Sequence, residues 1–262
     1  MTRTIFWGIL LMVLAGLLMT ACTKKPSPGE SEQTAADAAA SKPPVHVLLV
    51  TGGHGFEKEP FFAMFDAMEG VRYTHVELKD DSEIFETIDG WAYDGIVMYN
   101  MTQTISPQRQ ANFVKLLEQG VGLVALHHSL CSFQAWPEYR RIIGGRYYLE
   151  PTEVDGLLLP AGEYQHDVTM PITVADASHP VTAGVEAFNV LDETYNRYAV
   201  EPDNHLLLTT DAPTNRKEVG WTRRYQNANV CFLQLGHGSD AFAHPAYRTL
   251  VRQAILWSAK PK

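Results

Sequence analysis

Two adjacent histidines, His127 and His128, follow a short apolar segment and precede Ser129. Imidazole changes charge near neutral pH, and it is also the commonest side-chain ligand for metals such as zinc. Adjacent histidines at one position therefore favour acid–base chemistry or metal binding. A structural alternative stays open at this point, because one core histidine beside one surface histidine gives the same pattern.

Histidines also occur in or near other predicted loops, and the chain carries one pair of adjacent carboxylates flanked by apolar residues. His54 lies in a glycine-rich segment, and His237 lies between two glycines near the carboxyl end of the chain. Asp192 and Glu193 form the carboxylate pair, which could support acid–base chemistry or bind a metal. Such pairs also occur in solvated loops and at helix ends. The remaining loop histidines are His179 and His244.

Buried strands are predicted immediately before two of these polar positions. The segment Val121–Leu126 is short and apolar, which predicts a strand buried on both faces of a parallel sheet. Val45–Val50 predicts a second buried strand, followed by a glycine-rich turn and a helix over Pro60–Met68. Ligands of open α/β sheets bind beyond the carboxyl ends of the strands. We therefore expect the histidines that follow strands to converge at one edge of the sheet.

The rest of the pattern extends this doubly wound α/β organisation and adds a β segment. Ser106 and Pro107 predict the start of a helix, and the chain closes with a predicted helix over Ala246–Ala259. Residues Tyr147–Leu159 and Val168–Val174 are β-like and predict an additional sheet segment or hairpin. Further strands are predicted over Tyr73–Glu77, Gly95–Tyr99, His205–Thr209, Glu218–Tyr225 and Val230–Leu235.

The amino terminus has the composition of an export signal. Arg3 precedes an apolar run over Ile5–Leu18, and Leu18–Cys22 resembles a bacterial lipobox. We predict a signal peptide over 1–21, lipidation of Cys22, a flexible tether over 22–44 without large apolar residues, and one domain over 45–262. An uncleaved membrane anchor is the alternative. Thr23 is not the aspartate that retains lipoproteins in the inner membrane, which favours the outer membrane or cell surface.

The charge balance excludes some classes of function. The chain has 21 basic and 30 acidic residues, a net charge of −9, and removal of the predicted signal with Arg3 makes it −10. Binding of nucleic acid and electrostatic binding to a membrane are therefore not expected. The glycine-rich turn lacks the G-x-G-x-x-G pattern and a P-loop lysine, so no nucleotide cofactor is expected. Whether Cys131 and Cys231 form a disulfide is left open.

Five segments, in order along the chain, resemble the ThuA-like family, which is named for trehalose utilisation and belongs to the class I glutamine amidotransferase-like superfamily. The resemblance implies a flavodoxin-like, mostly parallel α/β fold. The matching segments are VLLVTGGHGFE, GLVALHHS, HPVTAGVEAFNVLDETY, WTRRYQNANVCFLQLGHG and HPAYRTLVRQAILWSA.

The same resemblance implies that the chain is not a glutamine amidotransferase. Such enzymes carry a nucleophilic cysteine at the turn after the central strand, and here His127 occupies that place. Imidazole cannot replace the thiol that forms the acyl intermediate, and Cys131 lies a turn further on. His237 matches the catalytic histidine that follows a late strand.

The resemblance and the histidines together predict an envelope-anchored protein acting on a trehalose-like disaccharide or a 3-keto sugar derivative supplied by partner sugar dehydrogenases. The chemistry would be histidine-based or assisted by a divalent metal, most simply zinc. A non-catalytic sugar-binding module is the alternative. The candidate catalytic residues are His127, His128, His237 and Glu193; the candidate substrate-binding residues are His54, Tyr195, Trp221 and Arg223; the candidate metal ligands are His54, His128 and His237.

Overall fold

A computed structural model of the chain describes residues 43–79, 81–154 and 156–259. The predicted signal peptide, Cys22 and nearly all of the tether lie outside the described residues, so these assignments stay predictions. Within the described part of the chain, no helix is both long and apolar enough to cross a bilayer.

One nine-stranded sheet forms the centre of the described fold. Its parallel strands are β1 (Val45–Gly52), β2 (Val71–Glu77), β3 (Gly95–Asn100), β4 (Gly122–Leu126) and β13 (Ala228–Leu233). Its antiparallel strands are β8 (Glu163–Val174), β9 (Phe188–Asn196), β11 (His205–Thr210) and β12 (Glu218–Tyr225). The strand order is β2-β1-β3-β4-β13-β12-β11-β8-β9; the first five strands in this order are parallel, and each of the last four is antiparallel to its neighbour. Short pairs are formed by β5 (Gly145–Arg146) with β10 (Ala199–Val200) and by β6 (Thr152–Val154) with β7 (Leu157–Leu159).

Helices cover both faces of the parallel half because its strands are apolar on both sides. In β1, Val47 and Leu49 contribute to one buried cluster, and Leu48 and Val50 contribute to another. The helices are α1 (Lys58–Asp66), α2 (Pro107–Glu118), α3 (Pro137–Ile143), α4 (Ser239–Ala243) and α5 (Pro245–Ser258), with short 3-10 turns over Glu83–Phe85 and His127–Cys131. The predicted doubly wound α/β class with an additional β segment is confirmed.

The β8–β9 hairpin extends beyond the rest of the sheet. Strand β11 pairs only with residues 172–174 of β8, whereas β8 pairs with β9 from Glu163 to Ile172. The first part of β8 therefore runs with β9 as a two-stranded ribbon. This ribbon explains how residues of an edge strand reach the histidines at the end of β4.

Two local predictions need correction, and one structural alternative is excluded. Tyr147–Leu159 is not one continuous β segment: it contains the short β6–β7 hairpin, in which Leu157 and Leu158 of β7 have exposed side chains. The first helix begins two residues earlier than predicted, at Lys58. Asp192 and Glu193 lie neither in a solvated loop nor at a helix end, because both are buried in β9.

The two cysteines of the domain are free thiols. Cys231 belongs to the buried cluster on one face of the sheet and Cys131 to the cluster on the other face. The sheet therefore separates them, which answers the question that the sequence left open.

Candidate functional site

His127 stands at the sharp turn after the central strand, with a backbone φ of +48°. A positive φ is uncommon for a residue with a side chain, and such positions occur at functional sites when the surrounding structure holds them. The side chain is fully buried. The turn after β4 therefore holds a buried imidazole in an uncommon backbone conformation.

Hydrogen bonds determine the orientation of the His127 ring. Its Nδ1 lies 2.7 Å from the carbonyl oxygen of Gln234, so Nδ1 carries a proton and donates it. The side-chain amide of Gln234 donates in turn to the Glu193 carbonyl at 2.8 Å. The free atom, Nε2, is thereby directed toward β9 and the loop after β13.

Three donor atoms meet at that point. His127 Nε2 lies 3.1 Å from Glu193 Oε2 and 3.2 Å from His237 Nδ1, and the last two atoms are 3.1 Å apart. The Tyr195 hydroxyl is 3.1 Å from the same Nε2. These four atoms are therefore close enough to share a proton or a cation.

The donor set fits a divalent metal. Two imidazole nitrogens and one carboxylate oxygen are the ligands of many zinc and other transition-metal sites. Ligands at about 2.0–2.1 Å from a tetrahedral zinc are about 3.3–3.4 Å from one another, close to the observed separations. His127, Glu193 and His237 are thus able to hold a metal ion together.

The Asp192 carboxylate holds the backbone of the loop that carries His237. Its carboxylate accepts hydrogen bonds from the backbone N–H groups of Gly236 at 2.7 Å and His237 at 2.9 Å, and from that of Glu193. Burial raises the pKa of Asp192, although these donors and His127 oppose the shift. The buried carboxylate therefore fixes the loop that presents His237.

Glu193 and His237 form a polarised pair. Burial alone would raise the pKa of Glu193, but hydrogen bonds from His127 and His237 outweigh it and hold this pKa well below its usual range. The hydrogen bond to Glu193 raises the pKa of His237 despite its partial burial. The carboxylate is therefore ionised, as a metal ligand must be.

His54 and His128 form a second layer beside these three residues. Their rings are 4.7 Å apart, and His128 packs on Tyr99 at 4.3 Å. Burial lowers the pKa of His54 and holds that of His128 far below its usual value. Of the predicted metal ligands, His237 is grouped with His127 and Glu193, whereas the rings of His54 and His128 are tilted against each other beside this triangle.

His166 also joins the site, and the prediction missed it. Its Nδ1 lies 3.3 Å from Glu193 Oε1, and its ring is 4.8 Å from that of His237. An irregularity in the β8–β9 pairing between Gln165 and Val168, with Asp167 at a φ of +57°, directs this side chain. The sequence signal was the polar run Gln165–Asp167 before the predicted strand at Val168.

Two of the predicted substrate-binding residues, Trp221 and Arg223, lie away from the histidine cluster. Tyr195 contacts His127, as described above, whereas Trp221 is fully buried and donates to the Ile143 carbonyl. Arg223 pairs with Val230, at the other end of β13 from His237, and its side chain binds Asn204 and Asp203. These two side chains are directed away from the cluster by their strand positions. His179 and His244 are also outside it: each accepts a local backbone hydrogen bond.

An open cavity of about 540 Å³ lies beside the loop after β1. It lies beyond the ends of β1 and β3 and is lined by Gly53, Lys79, Asp81 and residues 101–104. Strand order reverses between β1 and β3 in this sheet, and doubly wound proteins bind ligands at this position.

The sheet order and the helices on both faces define a flavodoxin-like α/β fold, consistent with the amidotransferase-like class, with a histidine–carboxylate site. The chain belongs to the ThuA family, described as trehalose utilisation, whose family model matches residues 46–258. The sequence matches no curated protein.

Solved structures share this fold at low sequence identity. A ThuA-like protein from Parabacteroides merdae is 20% identical, with a TM-score of 0.67 over 83% of this chain and 90% of that one. A ThuA-like protein from Bacteroides uniformis is 19% identical, with a TM-score of 0.59 over 84% and 94%. A GH42 β-galactosidase from G. stearothermophilus is 10% identical with a TM-score of 0.51, over 87% of this chain but only 32% of its own length.

Proposed function

We propose that this protein acts on a carbohydrate by acid–base chemistry assisted by a divalent metal, with zinc as the first candidate. The observation that carries the proposal is the triangle of His127 Nε2, Glu193 Oε2 and His237 Nδ1, with sides of 3.1–3.2 Å. The substrate class follows from membership of a family described as trehalose utilisation.

His127, Glu193 and His237 would hold the metal. A bound divalent ion polarises a carbonyl or hydroxyl oxygen and lowers the pKa of a bound water. The Gln234 carbonyl orients His127, and the Asp192 carboxylate positions the backbone of His237. Such outer contacts fix the ligand atoms before the metal arrives, which strengthens binding.

His54 and His166 are the candidate groups for proton transfer. Burial lowers the pKa of His54, so its imidazole is neutral at pH 7 and able to accept a proton. His166 has a half-exposed side chain beside Glu193, from which a proton can pass to solvent. Each therefore offers a nitrogen beside the proposed metal ligands His127, Glu193 and His237, where a substrate can approach.

A trehalose-like disaccharide or its 3-keto derivative is the proposed substrate. A keto group acidifies the neighbouring C–H bond, so a neutral histidine is able to remove that proton in an enolisation, elimination or isomerisation. Sugar dehydrogenases would then act before this protein. Gly53, which precedes His54 in the chain, lines the open cavity beyond β1 and β3, and this cavity supports the approach of a sugar from that side.

The first test is the metal content of the purified protein. We expect near-stoichiometric zinc, reduced by roughly tenfold or more in His127→Ala, Glu193→Gln and His237→Ala, because each variant removes one of three ligands. His205→Ala is the matched control, since His205 pairs with Asp176 on the surface. Turnover of trehalose and 3-ketotrehalose is then compared in the same variants.

The wild-type protein is also stripped with a chelator and then supplied with zinc, manganese or nickel. If it binds none of these metals, the metal-assisted proposal is contradicted. If Glu193→Gln binds sugar with unchanged affinity and the wild type has no turnover on either substrate, the protein is a sugar-binding module instead.

We further propose that Cys22 anchors the domain to the envelope through lipid. In cells supplied with labelled palmitate, the full chain is expected to incorporate the label, and Cys22→Ala is expected not to incorporate it. Absence of label from the wild type would favour an uncleaved amino-terminal anchor.

A further inference from the structure

A second cavity, of about 350 Å³, lies between α3 and the segment that runs from β5 to β6. Three arginines, Arg140, Arg141 and Arg146, line it together with the carboxylates of Glu153 and Glu201 and the hydroxyls of Tyr148 and Thr152. It shares no lining residue with the histidine cluster. Its volume is within the range of small-molecule sites, about 300–1,000 Å³.

Arg146 is the unusual residue of this cavity because it is only 2% exposed. Its Nη1 and Nη2 donate to the carbonyls of Phe133 and Trp136 at 3.0 and 2.7 Å. Its Nε is buried without a hydrogen-bond partner, and no carboxylate forms an ion pair with it among the described residues. Buried guanidinium groups are normally paired with an anion, since an uncompensated buried charge is costly.

The carboxylates near this cavity are not ion-pair partners of Arg146, because they pair with the neighbouring arginines or lie at the rim. Arg140 pairs with Glu201 at 2.5 Å and donates to the Tyr148 hydroxyl at 3.1 Å. Glu201 is therefore already the ion-pair partner of Arg140. The charge of Arg140 acts with burial to lower the pKa of Arg146. Arg141 pairs with Glu138 on the surface, and Glu153 lies exposed at the rim.

We propose that this cavity binds the oxyanion group of a small molecule, a phosphate or a carboxylate, between Arg140 and Arg146. Guanidinium groups bind both anions through planar, paired hydrogen bonds. The Tyr148 and Thr152 hydroxyls add neutral polar contacts at the cavity wall. The inference is independent of the metal chemistry proposed for the histidine cluster.

The test is thermal unfolding of the full chain in the Glu193→Gln background after chelation, which removes phosphate binding through a metal at the histidine cluster. Potassium phosphate and potassium glucuronate are each compared with potassium chloride at equal ionic strength. An anion at ten times its Kd is expected to raise the Tm by about 3–6 °C.

Variants locate the effect. Arg140→Gln is expected to abolish the rise in Tm, and Arg146→Lys to weaken binding because lysine lacks the paired donors. Arg224→Gln, an exposed arginine bonded to Asn229, is the matched control and is expected to keep the full response. A response to phosphate alone identifies a phosphoryl group, and a response to glucuronate alone identifies a carboxylate.

The proposal is overturned if neither anion raises the Tm beyond potassium chloride. It is equally overturned if Arg140→Gln keeps the full response, or if Arg224→Gln loses as much as Arg140→Gln. Should Arg146→Lys fail to fold, the comparison of Arg140→Gln with Arg224→Gln still decides the question.

Discussion

Individual residues of the site are held by contacts that direct one possible metal-binding atom of each toward the same point. His127 has Nδ1 bonded to the Gln234 carbonyl and Nε2 available, and Glu193 has Oε2 facing both histidines. His127 and His237 were predictable from their places at the ends of strands. Asp192 was predicted as half of a carboxylate pair, but its role was not, because its partners Gly236 and His237 are distant in sequence.

The pair formed by Glu193 and His237 makes a prediction for proton titration. In chelated protein, two-dimensional NMR should place the pKa of His237 above its ordinary value of 6.5 and that of His54 below it. Glu193→Gln removes the largest cause of the upward shift, so the pKa of His237 is expected to fall. Asp240→Asn is the control, because Asp240 is near in sequence but is not among the groups that shift His237.

The signs of the pH effects on stability follow from the same pair. The raised pKa of His237 contributes stability that is complete below 6.5 and is lost as pH rises through the folded-state pKa. The lowered pKa of Glu193 contributes stability that is present above its ordinary value of 4.5 and is lost as pH falls toward its folded-state pKa. An unchanged His237 titration in Glu193→Gln would contradict the pairing.

At the scale of elements, the site depends on a ribbon and two loops. Across a flat sheet, β9 would lie about 24 Å from β4, since five strand spacings of about 4.8 Å separate them. Glu193 nevertheless contacts His127 because the β8–β9 ribbon continues beyond the last pairing with β11. The parallel strands were predictable from their apolar runs, but β9 was not predicted as a strand. The extent of the ribbon and the irregularity that directs His166 were not, because pairing between strands determines them.

The loop after β1 gives a second prediction. Gly53 has a φ of +73°, and a Cβ atom there would lie 2.5 Å from the backbone of Met101 and Thr102. Gly53→Ala is therefore expected to lower the free energy of unfolding by about 1–3 kcal/mol and to displace His54. Urea unfolding measures the loss.

Gly55→Ala is the matched control in the same loop. A Cβ at Gly55 has no atom within 4 Å and no positive φ to strain it, so its effect is expected to stay within about 0.5 kcal/mol. Equal destabilisation by the two substitutions would show that the close approach of the loops after β1 and β3 is not the reason why residue 53 requires glycine.

At the scale of the whole molecule, one sheet separates two buried clusters and places one cysteine in each. Burial raises the pKa of both Cys131 and Cys231, so neither is a reactive thiolate at neutral pH. Their burial also means that a reagent reaches them only when the fold opens.

In Cys22→Ala protein, thiol-specific labelling under native conditions is therefore expected to be as slow as global unfolding and to accelerate together with it in urea. Labelling of either thiol at a rate well above global unfolding would show that part of the domain opens independently. A disulfide between the two cysteines under oxidising, native conditions would contradict the sheet topology.

The sequence by itself determined the class of fold and most of the donor atoms. Apolar runs such as Val121–Leu126 are local signals, and the polar residues that follow them mark the functional edge of a parallel sheet. Only the tertiary structure decided which donors meet. Glu193 and His166 reach His127 and His237 through a long-range ribbon, and Trp221 and Arg223 are turned away by strand register, because such contacts join residues far apart in the chain.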